Sequence, residues 1–178
     1  MIDDLLTDLI RVTLRERKDR HGWDRGVFGD ILKLSIDQRG RVGEELIAKA
    51  LRAAGVQGVE LARGKKDRTN KHWDIRTAGM DIEVKTATLG RNTNTFQHES
   101  IERDRRYHAL ALLDIAPNDI YLTWKTKDGI DWRALHRRAN SSFYKLDLKL
   151  SALENNRILT VADVLAGYNA TLDELHDH

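Results

Sequence analysis

Asp74, Glu83 and Lys85 are the residues best suited to chemistry in this chain of 178. Glu83 and Lys85 stand two apart in Met80-Asp81-Ile82-Glu83-Val84-Lys85-Thr86-Ala87, where Ile82, Val84 and Thr86 alternate with the other positions. A period of two puts an acid and an amine side by side on one face of a strand. Trp73 to Thr77 reads as a preceding strand and Ala78-Gly79 as the turn, which sets Asp74 on the neighbouring strand. Carboxylates on adjacent strands can hold a hard divalent cation through oxygen ligands. An amine beside them can stabilise a phosphoryl oxyanion or orient an attacking water. The plainer reading of Glu-x-Lys is an ion pair on a solvated strand face, and only the surroundings separate the two.

The elements around this hairpin must position it. Ile2 to Arg17 carries Leu5, Leu6, Leu9, Ile10 and Val12 at helical spacing, an amphipathic helix by pattern. Val27 to Ile36 reads as a second helix, broken at Gln38-Arg39-Gly40-Arg41. A third runs from near Arg41 to Ala54, where Gly55 stops it. At about 100° per residue, Glu44 falls between Ile47, Ala48 and Leu51, on the apolar stripe of that helix. A buried carboxylate is costly without a partner such as a metal or a cation. In the first turn, however, the helix dipole also favours an acid at the margin of the stripe.

Further along, Val56 to Ala62 is a candidate first strand, and Phe96-Gln97-His98-Glu99-Ser100-Ile101 a short helix or irregular turn. His108 to Ala116 is an apolar run that suits a buried strand, paired through Pro117-Asn118-Asp119 with Ile120 to Trp124. Trp132 to Arg138 reads as helical and Tyr144 to Leu150 as a strand; Thr160 caps a closing helix to Leu175. Tyr107, Trp124 and Trp132 read as core aromatics.

Composition bounds the rest. The length suits one α/β domain, divided into N-terminal helices (1–39), a core (40–125) and a C-terminal strand and helix (126–178). The absence of cysteine excludes disulfides and thiolate metal sites. No apolar run reaches membrane-spanning length, and Met1-Ile2-Asp3-Asp4 lacks the basic start of a signal peptide, so a cytoplasmic protein without a membrane partner is expected. The net charge of +2 is small, but Arg63, Lys65, Lys66, Arg68 and Lys71 cluster in one segment, Arg103, Arg105 and Arg106 in a second, and Arg133, Arg137 and Arg138 in a third. Separated basic areas can grip a polyanion without high overall charge. Solvated loops explain any single cluster as well.

The order of these pieces resembles the PD-(D/E)xK nuclease superfamily, and within it type II restriction endonucleases most. The matching residues are Gly40-Arg41-Val42-Gly43-Glu44, then Asp74, then Glu83-Val84-Lys85. Phe96 to Ile101 and the run Tyr107 to Asn118 resemble the segments beyond the core in those enzymes, so the likeness spans roughly residues 40 to 125. Trp73 stands where the proline that names the motif would be. The resemblance implies a restriction-endonuclease-like core with a mixed sheet of about four or five strands flanked by helices. It implies Mg2+, replaceable by Mn2+, held by Asp74, Glu83, the Val84 carbonyl and Glu44, directly or through water, with Lys85 against the attacking water. Asp81, a rival to Asp74, looks more like a rim residue. The implied partners are double-stranded DNA and a second copy of the chain. Lys65, Lys66, Arg68, Arg91, Asn92, Asn94, Gln97 and His98 are candidate DNA contacts on type and position, although Gln97 and His98 equally suit a helix cap. A junction resolvase, a mismatch-repair-type nicking enzyme and a non-catalytic DNA-binding module remain the alternatives.

Overall fold

Ser35 fixes the start of the first long helix. Its hydroxyl accepts from the Gln38 amide at 3.3 Å, and the Gln38 side chain accepts from the Ser35 amide at 2.9 Å. This reciprocal capping box satisfies two amide donors that a helix start otherwise leaves bare. Helix α1 therefore spans Ile36–Ala53. It begins five residues before the predicted start at Arg41, because the box outweighs the low helix propensity of Gly40. Only a short 3-10 helix, Gly29–Lys33, stands where a helix from Val27 to Ile36 was predicted. The far end of α1 agrees with expectation. Gly55 turns left-handed at φ 84°, and the amides of Gly55 and Val56 donate back to the carbonyls of Arg52 and Leu51.

The computed structural model describes residues 22–62, 72–137 and 141–177. The predicted helix from Ile2 to Arg17 and the basic segment from Arg63 to Lys71, with Lys65, Lys66 and Arg68, lie outside the described residues.

The architecture is α/β. Strands β1 (Glu60–Leu61), β2 (Ile75–Arg76), β3 (Asp81–Thr88), β5 (Ala109–Ile115) and β6 (Ile120–Thr126) form one sheet in the order β1-β2-β3-β5-β6. All pairs are antiparallel except β3 with β5. This mixed five-stranded sheet is compatible with a restriction-endonuclease-like core. Strands β4 (Thr95–Glu102), β7 (His136–Arg137) and β8 (Phe143–Lys149) form a second, antiparallel sheet in the order β4-β8-β7. The closing helix α2 spans Val161–His176, and Thr160 and Asp163 cap it reciprocally.

Two expectations fail here for identifiable reasons. Phe96 to Ile101 is strand rather than helix or turn, with Phe96 and His98 buried and Gln97 and Glu99 exposed. Ser100 then turns left-handed at φ 57° and shifts the register, so Ile101 rather than Ser100 points inward. That bulge interrupts the period of two by which a strand is read. Of the helix expected from Trp132 to Arg138, the last residue lies outside the described residues and the rest is not helical: residues 132–134 form a turn, and β7 pairs with Tyr144 and Lys145 of β8.

Strand β5 is buried along its whole length, as its unbroken apolar run predicts. On one side, Ala109, Ala111 and Leu113 join the core that contains Ile47, Leu51, Val164 and Tyr168 of the helices. On the other, Leu110 and Leu112 pack with Ile101, Tyr107 and Ile130 and against Tyr144 and Leu146 of the second sheet. The molecule is thus layered as helices, central sheet and second sheet.

Candidate functional site

Strand β2 begins at Ile75, which pairs with Ile82, so among the described residues no strand covers that side of β3 from Glu83 onward. This edge without a strand partner is where the chemistry-bearing residues collect. Asp74 leaves the strand opposite Glu83, and its Oδ2 accepts from the amide of Val84 at 2.9 Å. A side chain thereby satisfies a donor that a neighbouring strand would otherwise take. The alternation along β3 turns Glu83 and Lys85 away from Ile82 and Val84 and toward the layer of the second sheet.

These residues line a cleft of about 760 Å³ between β3 and β4. Glu44 of α1 enters it from the helix side, and Gln97, Glu99 and Ser100 of β4 form the opposite wall. Glu44, Asp74 and Glu83 are all buried, at 6, 4 and 0% exposure. The face of β3 is therefore no solvated ion-pair surface. Lys85 Nζ lies 2.7 Å from Glu83 Oε1. Burial pushes the Glu83 carboxyl up from its ordinary value; the charge on Asp74 acts the same way, and Lys85 and Arg105 oppose it.

In the sequence, Arg105 stands out only as a member of a basic cluster. Its Nη1 lies 2.5 Å from each Glu83 oxygen and donates to Oε1, and its Nη2 is 3.8 Å from Asp74 Oδ1. The guanidinium thus lies between the two carboxylates. Among the described residues, no three His, Asp or Glu side chains stand close enough to hold one ion in this arrangement. The donor set still suits a hard divalent cation, because every candidate group is an oxygen. Both oxygens of Glu83 now face the Arg105 guanidinium, which a cation taking them would have to displace. No pattern in the sequence distinguishes Arg105 from Arg103 or Arg106, since all three lie in an irregular segment without period.

The other candidates divide. Asp81 pairs with Arg76 at 2.6 Å beside the sheet rather than in the cleft. Arg91, Asn92 and Asn94 are exposed in the turn before β4, and Gln97 projects into the cleft. His98 does not face solvent at all. Its Nε2 meets Asp114 Oδ1 at 2.8 Å, and both side chains are fully buried, so the imidazole ties β4 to β5 instead of reaching a ligand. Burial raises the Asp114 carboxyl, against the hydrogen bond and charge of His98. Tyr107 is buried close to Glu83, and its phenol is raised by burial first and by the Glu83 charge second. No helix among the described residues is long and apolar enough to cross a membrane. Neither a family model nor a curated protein sequence matches this chain.

Proposed function

We propose that this protein is a Mg2+-dependent endonuclease that hydrolyses double-stranded DNA at a specific site, in the manner of a type II restriction enzyme. One observation carries the reading: Asp74, Glu83 and Lys85 from adjacent strands, joined by Glu44 from α1, line a single cleft. Asp74, Glu83, the Val84 carbonyl and Glu44 would hold the cation, which supplies Lewis-acid stabilisation of charge on the phosphate when bound. Lys85, fixed on a paired strand beside Glu83, orients the attacking water and stabilises the developing oxyanion. Burial of Glu83 keeps bulk water from competing for its oxygens. Gln97 and Glu99 on the facing wall, and Arg91, Asn92 and Asn94 in the turn before it, can meet base edges and phosphates. Cutting both strands of a symmetric site calls for two such clefts about a two-fold axis, hence a homodimer.

Incubation of the protein with Mg2+ and mixed-sequence plasmid, followed by sequencing of the ends, tests this. Discrete fragments with 5′-phosphate ends are expected. Asp74→Ala and Lys85→Ala should each lower the cleavage rate by at least about a hundredfold while DNA binding persists, because phosphate contacts come mainly from other basic residues. Cleavage by both variants at the wild-type rate would remove the site. Nicked plasmid and a monomeric mass would instead indicate a resolvase or nicking enzyme.

The guanidinium on Glu83 and Asp74 favours one second reading, a DNA-binding module whose carboxylates are permanently neutralised. It predicts gel shifts without cleavage at any Mg2+ concentration.

A further inference from the structure

Arg105 sits in the segment between β4 and β5, and its backbone is anchored separately from its side chain. Lys127 Nζ donates to the Arg105 carbonyl at 2.6 Å, and the Tyr107 amide donates to the same oxygen at 3.2 Å. The guanidinium reaches from this fixed point to Glu83 and, more loosely, to Asp74. An arginine stem has enough rotatable bonds to swing its head while the backbone stays in place.

Charge at the cleft then decides what the side chain does. Arg105 lies against both oxygens of Glu83 and leans on Asp74, so it already occupies the acceptors that a cation in the cleft would use. A divalent ion held by Glu83 and Asp74 takes oxygens that the guanidinium now covers. The guanidinium then loses its attraction to Glu83 and meets a like charge at close range. A phosphodiester offers, in its two free oxygens, the same forked acceptor geometry as the carboxylate the arginine has left.

We propose that Arg105 is a resident counter-cation for the Asp74–Glu83 pair, which a divalent metal displaces, and that the freed guanidinium then binds a backbone phosphate of the nucleic acid in the cleft. The inference rests on the nuclease reading for its ligand, but the exchange can be measured without hydrolysis. In the resting state Arg105 keeps two facing carboxylates from repelling each other; in the loaded state it is a positioning residue for the phosphate. Metal and nucleic acid thereby become coupled, each favouring the arrangement the other requires.

Calcium, which fills oxygen sites without driving the cleavage, is the probe. Titration calorimetry of the whole chain with Ca2+ should show Arg105→Met binding about tenfold more tightly than wild type, a size usual for coupled sites. In the presence of Ca2+ the same variant should bind a DNA duplex more weakly, with the slope of log affinity against log salt reduced by about one. Arg105→Lys should keep that salt slope. Unchanged or weaker Ca2+ binding by Arg105→Met would overturn the exchange, and an unchanged salt slope would overturn the phosphate contact.

Should Arg105→Met fail to fold, the wild-type protein carries the test. Its Arg105 side-chain N–H signals, protected by Glu83, should lose protection from hydrogen exchange on addition of Ca2+; retained protection at saturating Ca2+ would refute the displacement. These outcomes are distinct from the fate of the nuclease reading. Exchange without cleavage in Mg2+ leaves a metal-gated DNA binder, and cleavage without exchange leaves a nuclease in which Arg105 is static.

Discussion

At the scale of single residues, the buried pair His98–Asp114 matters as much as the acidic groups of the cleft. It joins the wall strand β4 to β5 at 2.8 Å, with neither side chain in contact with solvent. Taking one member of a buried, hydrogen-bonded pair away leaves the other without a partner, at a cost of about 3 kcal/mol. His98→Ala should therefore lower the urea-unfolding free energy by that amount, and Asp114→Asn by less, because an amide still bonds the ring. A loss for His98→Ala below about 0.5 kcal/mol, the usual range of a surface change, would contradict the tie. The residue types at Asp74, Glu83 and Lys85 were readable as a cleft-forming set because strand alternation fixes which way each points. His98 was not, since a histidine beside exposed Gln97 and Glu99 looks the same in sequence whether it meets DNA or a buried aspartate. Arg105 was hidden for a related reason: its partners are 22 and 31 positions away in sequence, and no local pattern encodes such distances.

Among the elements, α1 has the tightest constraint. A Cβ on Gly43 would stand 1.9 Å from Thr86 Oγ1 and 3.2 Å from Leu113 Cδ2, so the helix lies directly on β3 and β5 at this point. Only a residue without a side chain permits that approach. Gly43 is also the neighbour of Glu44, so this close approach sets how far the glutamate reaches into the cleft. Gly43→Ala should cost about 2 kcal/mol, as overpacking does, and slow cleavage by moving Glu44. Thr86→Ala in the same chain should recover part of the stability; the absence of any recovery in thermal unfolding would show that the strain lies elsewhere. The sequence specified the end of this helix through Gly55. It also contained the start, in the spacing of Ser35 and Gln38, but the run Gln38-Arg39-Gly40-Arg41 has the composition of a break. In β4 the reverse holds: the four positions Phe96 to Glu99 alternate as a strand should, and the bulge at Ser100 ends the pattern before it is long enough to recognise.

For the whole molecule, β5 is the shared wall of two cores. Leu112 belongs to the one under the second sheet and Leu113 to the one under the helices, both without exposed surface. Neither core can be lost without uncovering a face of the same strand. Leu112→Ala and Leu113→Ala should each lower stability by about 3 kcal/mol and leave a single transition, with circular dichroism and tryptophan fluorescence superimposing. Two separated transitions would mean that the layers unfold independently. The layered plan was readable in part. The apolar run at β5 requires cover on both sides, but nothing in its own residues says that one cover is a second sheet, because that sheet depends on β4 pairing with β8, more than forty positions away.

The route of the chain between β3 and β5 has a consequence for how the cleft comes into being. These parallel neighbours are linked through β4, whose partner β8 is not reached until Phe143. As the polypeptide leaves the ribosome, the base of the cleft can assemble while its facing wall is still waiting for the strand that will hold it. The enclosure that excludes water from the acidic groups is complete only once β8 has emerged to pair with β4.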